Sequence, residues 1–213
     1  MRRLTIALVV AATAAGAADL PGRILFGFDA GAVRTASDHE RWGGSGVGYA
    51  YFGEVGYEST AWLAAPLMQW GYAYGRGDVP AWESGGYVSP PSELQHKTST
   101  FFLGAVARLP LWRMRLRPYG GVGLAWTAYE RQVLADVTVL AESESSGSGW
   151  AALGGIEFFP DPSRGFSVVL GYRYGATGQE WRKPPAGAEK GGFDTEFDLT
   201  EGLITAGVRM YTL

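Results

Sequence analysis

Apolar and small or polar residues alternate at every second position over most of this chain, most cleanly between Gly149 and Ala176. One parity there collects Trp150, Ala152, Ile156 and Phe158, then Phe166, Val168, Leu170, Tyr172 and Tyr174. The other holds Gly155, Glu157, Ser167, Gly171, Arg173, Gly175 and Thr177. A period of two puts the two sets on opposite faces of a strand. Between the halves, Pro160-Asp161-Pro162-Ser163-Arg164-Gly165 is a run of turn formers, so the stretch predicts a β-hairpin. Its polar face is slim and rich in glycine, which suits a crowded, curved interior. Its aromatic face is broad and suits lipid.

The same alternation predicts further strands over about 23–36, 45–58, 65–77, 96–109, 117–131 and 198–213. Outward parity carries residues such as Phe26, Phe28, Tyr49, Tyr51, Trp70, Tyr72, Phe101, Leu103, Leu124 and Trp126. Long polar connections, among them Asp78 to about Gln95, Glu142–Ser148 with Ser145 in it, and Lys183 to about Asp194, alternate with short turns such as Pro110–Arg117. Together these predict an all-β fold, an eight-stranded antiparallel up-and-down barrel. Long loops on one side and short turns on the other fit a transmembrane barrel. In a soluble barrel that binds an apolar ligand, the greasy parity would instead line the inside.

The segments Arg117-Pro-Tyr-Gly-Gly-Val-Gly-Leu-Ala-Trp126, Gly154-Gly-Ile-Glu-Phe-Phe159 and Val169-Leu-Gly-Tyr-Arg-Tyr174 resemble the small bacterial outer-membrane β-barrels, the eight-stranded OmpA-like family. The resemblance implies an integral, monomeric protein of the bacterial outer membrane. Membrane lipid, lipopolysaccharide and the outer-membrane assembly machinery are its expected partners, and its roles are structural, adhesive, lipid-interacting or narrowly conducting. In the family the last strand ends on an aromatic residue. Here Leu213 holds that place and Tyr211 falls on the other parity, near the rim.

The first residues have the layout of a secretory signal peptide: Arg2 and Arg3, an apolar run from Leu4 to about Ala15, and the small residues Ala15-Gly16-Ala17. Cleavage after Ala17 or Ala18 would leave a signal peptide over 1–18 and a barrel domain over 19–213. An N-terminal membrane anchor is the other reading, and the apolar run is short for it.

Composition narrows the function further. Net charge is −3, from 18 basic and 21 acidic residues, so nothing points to nucleic acid. Cysteine is absent, which excludes disulfides and thiolate chemistry. Glycine reaches 32 residues and aromatics 14 %, while charged residues make up only 18 %. No nucleotide, P-loop, zinc-protease or hydrolase-elbow motif occurs, so no cofactor is expected.

Four groups of residues remain as candidate chemistry. Some outer-membrane barrels are lipid A deacylases that carry a histidine, a serine two residues later and an acid on the lipid-facing wall. His96-Lys97-Thr98-Ser99 puts threonine where serine is needed, so His96 is expected at a loop-to-strand position near the outer rim and His39 in a loop. Acids in the late loops (Glu142, Glu144, Glu189, Asp194, Glu196, Asp198) read as a solvated face, and Arg113, Arg115 and Arg117 as an interfacial turn. The inward parity gathers Asp29, Glu54 and Glu157 with Arg108, Arg173 and Arg209. Isolated charges in so narrow a space are strongly disfavoured, so these six are expected to pair across the lumen and plug it. Arg173 with Glu157 is the provisional pair.

Overall fold

The computed structural model describes residues 22–38, 44–59, 64–79, 83–84, 87–88, 92–108, 115–135, 138–161, 165–184 and 196–212. The expected signal peptide, His39, Arg113, Glu189 and Asp194 lie outside them. The strands are β1 (Gly22–Ser37), β2 (Gly44–Ser59), β3 (Ala64–Val79), β4 (Glu83–Ser84), β5 (Tyr87–Val88), β6 (Ser92–Arg108), β7 (Leu116–Ala135), β8 (Thr138–Phe158), β9 (Phe166–Lys183) and β10 (Glu196–Tyr211). Eight of them close into one antiparallel barrel in the order β1-β10-β9-β8-β7-β6-β3-β2, so each strand pairs with its sequence neighbours and β10 closes on β1. The short β4-β5 hairpin pairs by itself within the connection from β3 to β6.

Register fixes the shape. A walk along the rungs from Phe28 through Gly53, Trp70, Phe101, Trp126, Ser148, Gly178 and Asp198 reaches the level of Asp38, ten residues further along β1. Eight strands with that stagger tilt strongly and enclose a bore that side chains fill.

Parity divides the walls as the sequence predicts. Phe28, Tyr51, Trp70, Leu124, Leu170 and Ile204 face out and are exposed, whereas Leu25, Phe52, Phe102, Val106 and Leu203 face in and are buried. Aromatic rings pair across strands on the outer wall at 5.6 Å for Tyr49 with Tyr74 and Tyr51 with Tyr72, and at 5.7 Å for Phe101 with Trp126. Such cross-strand ring pairs stabilise register and build an aromatic girdle. On the side of the short connections, Gly165 adopts φ 61°, and a Cβ there would stand 2.7 Å from the Tyr211 carbonyl oxygen. Its own carbonyl accepts from the Tyr211 N–H at 2.7 Å, tying the β8-β9 turn to the last strand.

The strands run longer than expected at the other end. Residues 142–148 are not a loop: they continue β8, pairing with both β7 and β9. Serine and glycine composition suggested a break there, but parity persists. Ser143 and Ser145 point inward and are buried, while the exposed Glu142 accepts from Lys183 Nζ at 2.6 Å and from Gln132 Nε2 at 2.9 Å. Likewise β6 begins at Ser92, so His96 is no rim residue: it lies within the strand, 1 % exposed and inward.

Candidate functional site

Glu157 is the hub of the lumen. It sits on β8 with no exposed surface, and four residues from other strands converge on it. Arg117, the second residue of β7, donates to its Oε2 through Nε at 2.8 Å and Nη2 at 2.5 Å. Arg209 on β10 donates to Oε1 through Nη1. The Tyr211 hydroxyl reaches the same oxygen at 2.9 Å, and Arg108 on β6 stands 3.6 Å from it. Arg117 continues to Glu58 Oε1 on β2 at 2.5 Å, and Arg209 to both oxygens of Glu54. Gln69 Nε2 on β3 completes Glu54 at 2.9 Å. The lattice thus joins β2, β3, β6, β7, β8 and β10.

Aromatic faces support the guanidiniums. Arg209 lies 4.3 Å above the Tyr119 ring, and Arg117 lies 4.8 Å from Phe159 and 5.4 Å from Tyr211. Charges this deep cost several kcal/mol each to desolvate, on the order of the figures for buried ions, unless geometry and hydrogen bonding are nearly complete. For Arg117 and Arg209 around Glu157 the bonding is extensive, whereas Arg108 stays at ion-pair distance with its buried Nε and Nη2 making no hydrogen bond. Glycine makes the room, since a Cβ at Gly27 would overlap the Glu54 carboxylate.

Of the six charges expected together, Glu54, Arg108, Glu157 and Arg209 meet in this lattice. Asp29 borders it on β1, buried, with its Oδ1 unpartnered. Arg173 stands apart. It lies one layer further toward the long loops, between the rings of Phe52 at 5.0 Å and Phe102 at 5.6 Å. Glu157 pairs with Arg108, Arg117 and Arg209 and not with Arg173, so the provisional pair is corrected; Glu201 on β10 is the acid whose charge reaches Arg173, while Arg173 Nε and Nη1 and Glu201 Oε1 make no hydrogen bond. Glu201 in turn accepts from Thr100 Oγ1 at 3.4 Å. Between the two layers is a cavity of about 20 Å³, bordered by Asp29, Gln69, Tyr119, Arg173 and Thr205, which has room for a single water.

Sequence reading missed Glu58, Arg117, Tyr211 and Glu201. All four lie on inward parity; Glu58 closes the strand expected over 45–58 without being counted among the inward charges, and Arg117 and Tyr211 were read as rim. Arg117 in particular is not an interfacial arginine: it is 3 % exposed, whereas Arg115 is exposed. Higher still, His96 lies beside Tyr129, ring centroids 5.8 Å apart, and opposite Arg131 on the β6-β7 ladder. Among the described residues no group of acids and histidines is arranged to hold a metal ion.

This architecture matches known proteins. No curated protein sequence matches the chain. Among solved structures, the chain is similar to the outer membrane protein OprG from Pseudomonas aeruginosa, with 12% identity and TM-score 0.50 over 90% of this chain and 95% of that one. It is also similar to Neisserial surface protein A, with 18% identity and TM-score 0.49 over 87% and 96%. Residues 4–208 match the model of the outer membrane protein beta-barrel domain, and with nearly its whole length inside that match, the chain belongs to this family of bacterial outer-membrane barrels.

Proposed function

We propose that the chain is exported through its N-terminal signal segment, inserted by the outer-membrane assembly machinery, and serves as a monomeric, non-catalytic barrel with a closed lumen. Its role is structural, adhesive or lipid-interacting, exerted through the outer wall and the strand ends that project beyond the lipid. The observation that carries this reading is the lattice around Glu157, which draws side chains from six strands into the bore. Charged groups held by this many bonds do not swing aside cheaply, because removing one partner leaves others buried and unpaired. Planar-bilayer recording tests it: the expected trace shows no stable porin-sized conductance, and a large, persistent open level would overturn the reading.

The placement of His96 weighs against a lipid-modifying enzyme of the deacylase kind. Its ring points into the lumen together with Thr98, while Ser99 faces the opposite side of the strand. A lipid substrate on the wall meets no histidine there. His96→Ala is expected to leave lipid A acylation unchanged in an envelope assay. Wall residues such as Val122 and Leu170, both more than half exposed, weigh likewise against a soluble barrel.

A further inference from the structure

The outer wall carries a groove of about 1040 Å³ that lies between two successive outward rungs. Its lower edge is the rung Phe28–Gly53–Trp70–Phe101–Trp126–Ser148, and each neighbour in that series is a register pair. Its upper edge is the rung Tyr51–Tyr72–Ser99–Ala128–Ser146, paired in the same way. Because rungs in a tilted barrel climb as they circle, the groove rises obliquely from β1 to β8.

Side-chain size makes the depth. On β6, β7 and β8 the upper rung falls to Ser99, Ala128 and Ser146, directly above the rings of Phe101 and Trp126. The Trp70 indole lies across Gly53, where a Cβ would stand 2.7 Å from it. One rung higher come Lys97, Glu130 and Glu144, all exposed, which places the groove just under headgroup level. Arg182 closes the upper end. It is exposed, and its Nε donates to Ser146 Oγ at 2.7 Å.

We infer that this groove is a binding site for one phosphorylated, acylated sugar of the outer leaflet, a lipid A type glycolipid. The inference rests on the lipid-interacting part of the proposed role. Orientation follows from the connections: the groove's upper end lies on the side of the long ones, which face outward in such barrels. An acyl chain lies along the aromatic edge. Ser99, Ser146 and Ser148 then stand where the sugar's amide and hydroxyl groups emerge, a row of partners that a glycerophospholipid cannot use at that depth. The guanidinium of Arg182 supplies the cation for a phosphate.

Native mass spectrometry of the detergent-solubilised full chain, incubated with diphosphorylated lipid A or with phosphatidylglycerol, tests this. The unaltered protein is expected to keep one lipid A at collision energies that strip phosphatidylglycerol. Ala128→Trp fills the trough and is expected to weaken lipid A retention about tenfold, while Ile204→Trp on the far wall leaves it unchanged. Arg182→Gln removes the cation at the groove's upper end while keeping a side chain that can donate to Ser146, and is expected to remove the preference for phosphorylated over dephosphorylated lipid A. Equal retention by Ala128→Trp and Ile204→Trp, an unchanged phosphate preference in Arg182→Gln, or equal retention of the two lipids by the unaltered protein would each overturn the site. None of these outcomes bears on whether the lumen conducts, so the two readings fail separately.

Discussion

The hydroxyl of Tyr211 donates to Glu157 Oε1 at 2.9 Å while accepting from Arg117 Nη2 at 2.7 Å, linking β10 to β8 past the intervening β9. Tyr211 is the last residue of the last strand, so this contact fastens the end of the chain to the centre of the plug. Its neighbour across the seam is Leu25 on β1.

Tyr211→Phe keeps the ring against Phe159 and removes only the hydroxyl. Arg117 Nη2 keeps its bond to Glu157, but Glu157 Oε1 loses a donor on a carboxylate with no exposed surface. Loss of a hydrogen bond to a charged group costs about 1.5–3 kcal/mol. A urea titration in lipid vesicles should show that loss, and a variant as stable as the parent would mean the hydroxyl is not a member of the lattice.

The two charged layers should behave as separate units. Arg173→Met leaves Glu201 buried without its cation and is expected to cost about 3–5 kcal/mol. Adding Glu201→Gln should recover part of that, with a coupling energy of about 0.5–3 kcal/mol. Adding Glu157→Gln instead should recover nothing, because Arg117 and Arg209 would then face the vacated carboxylate. Recovery through Glu157 and not through Glu201 would show that the layers are assigned wrongly.

The barrel, its strand count and both of its faces were legible in the sequence, because period two survives wherever one face meets lipid. Strand ends were not. Residues 142–148 keep that period, but serine and glutamate replace apolar residues toward the end of the strand, so composition reads as loop where the ladder continues. The plug was half legible. Parity alone marks Glu54, Glu157 and Arg209 as inward, but which acid meets which base depends on the ten-residue stagger of the closed barrel, which no local pattern encodes. Arg117 and Tyr211 escaped because each sits at a strand terminus, where a rim position and a lumen position look alike.

The proposed export implies a defined mature start. With Arg2 and Arg3 ahead of the apolar run and Ala15-Gly16-Ala17 behind it, signal cleavage should leave Ala18 or Asp19 as the first residue. Terminal sequencing of envelope-fractionated protein checks this, and Met1 on the membrane-inserted form would contradict it.

Arginine substitution at three positions separates lipid, water and lumen. Leu170 faces out from the first third of β9 and is 62 % exposed, so Leu170→Arg places a cation among acyl chains at up to about 2–4 kcal/mol, the figure for a site near midplane. Glu130 is exposed above the aromatic rung, and Glu130→Arg should cost almost nothing. Ser145 is the informative case. Composition assigns it to a loop, where arginine would be harmless. In the folded barrel it is 2 % exposed, and its hydroxyl donates to Gln179 Oε1 at 3.1 Å. Arg131 is the buried cation on the same level of the lumen, with Nε and Nη2 unpartnered. Ser145→Arg therefore adds a second buried cation beside one whose own donors already lack partners, at about 3–5 kcal/mol, the cost of a poorly compensated buried charge. Refolding titrations of the three variants should rank Ser145 and Leu170 together, far above Glu130. A Ser145→Arg protein as stable as Glu130→Arg would mean that β8 ends below this residue and that the upper lumen is open to water.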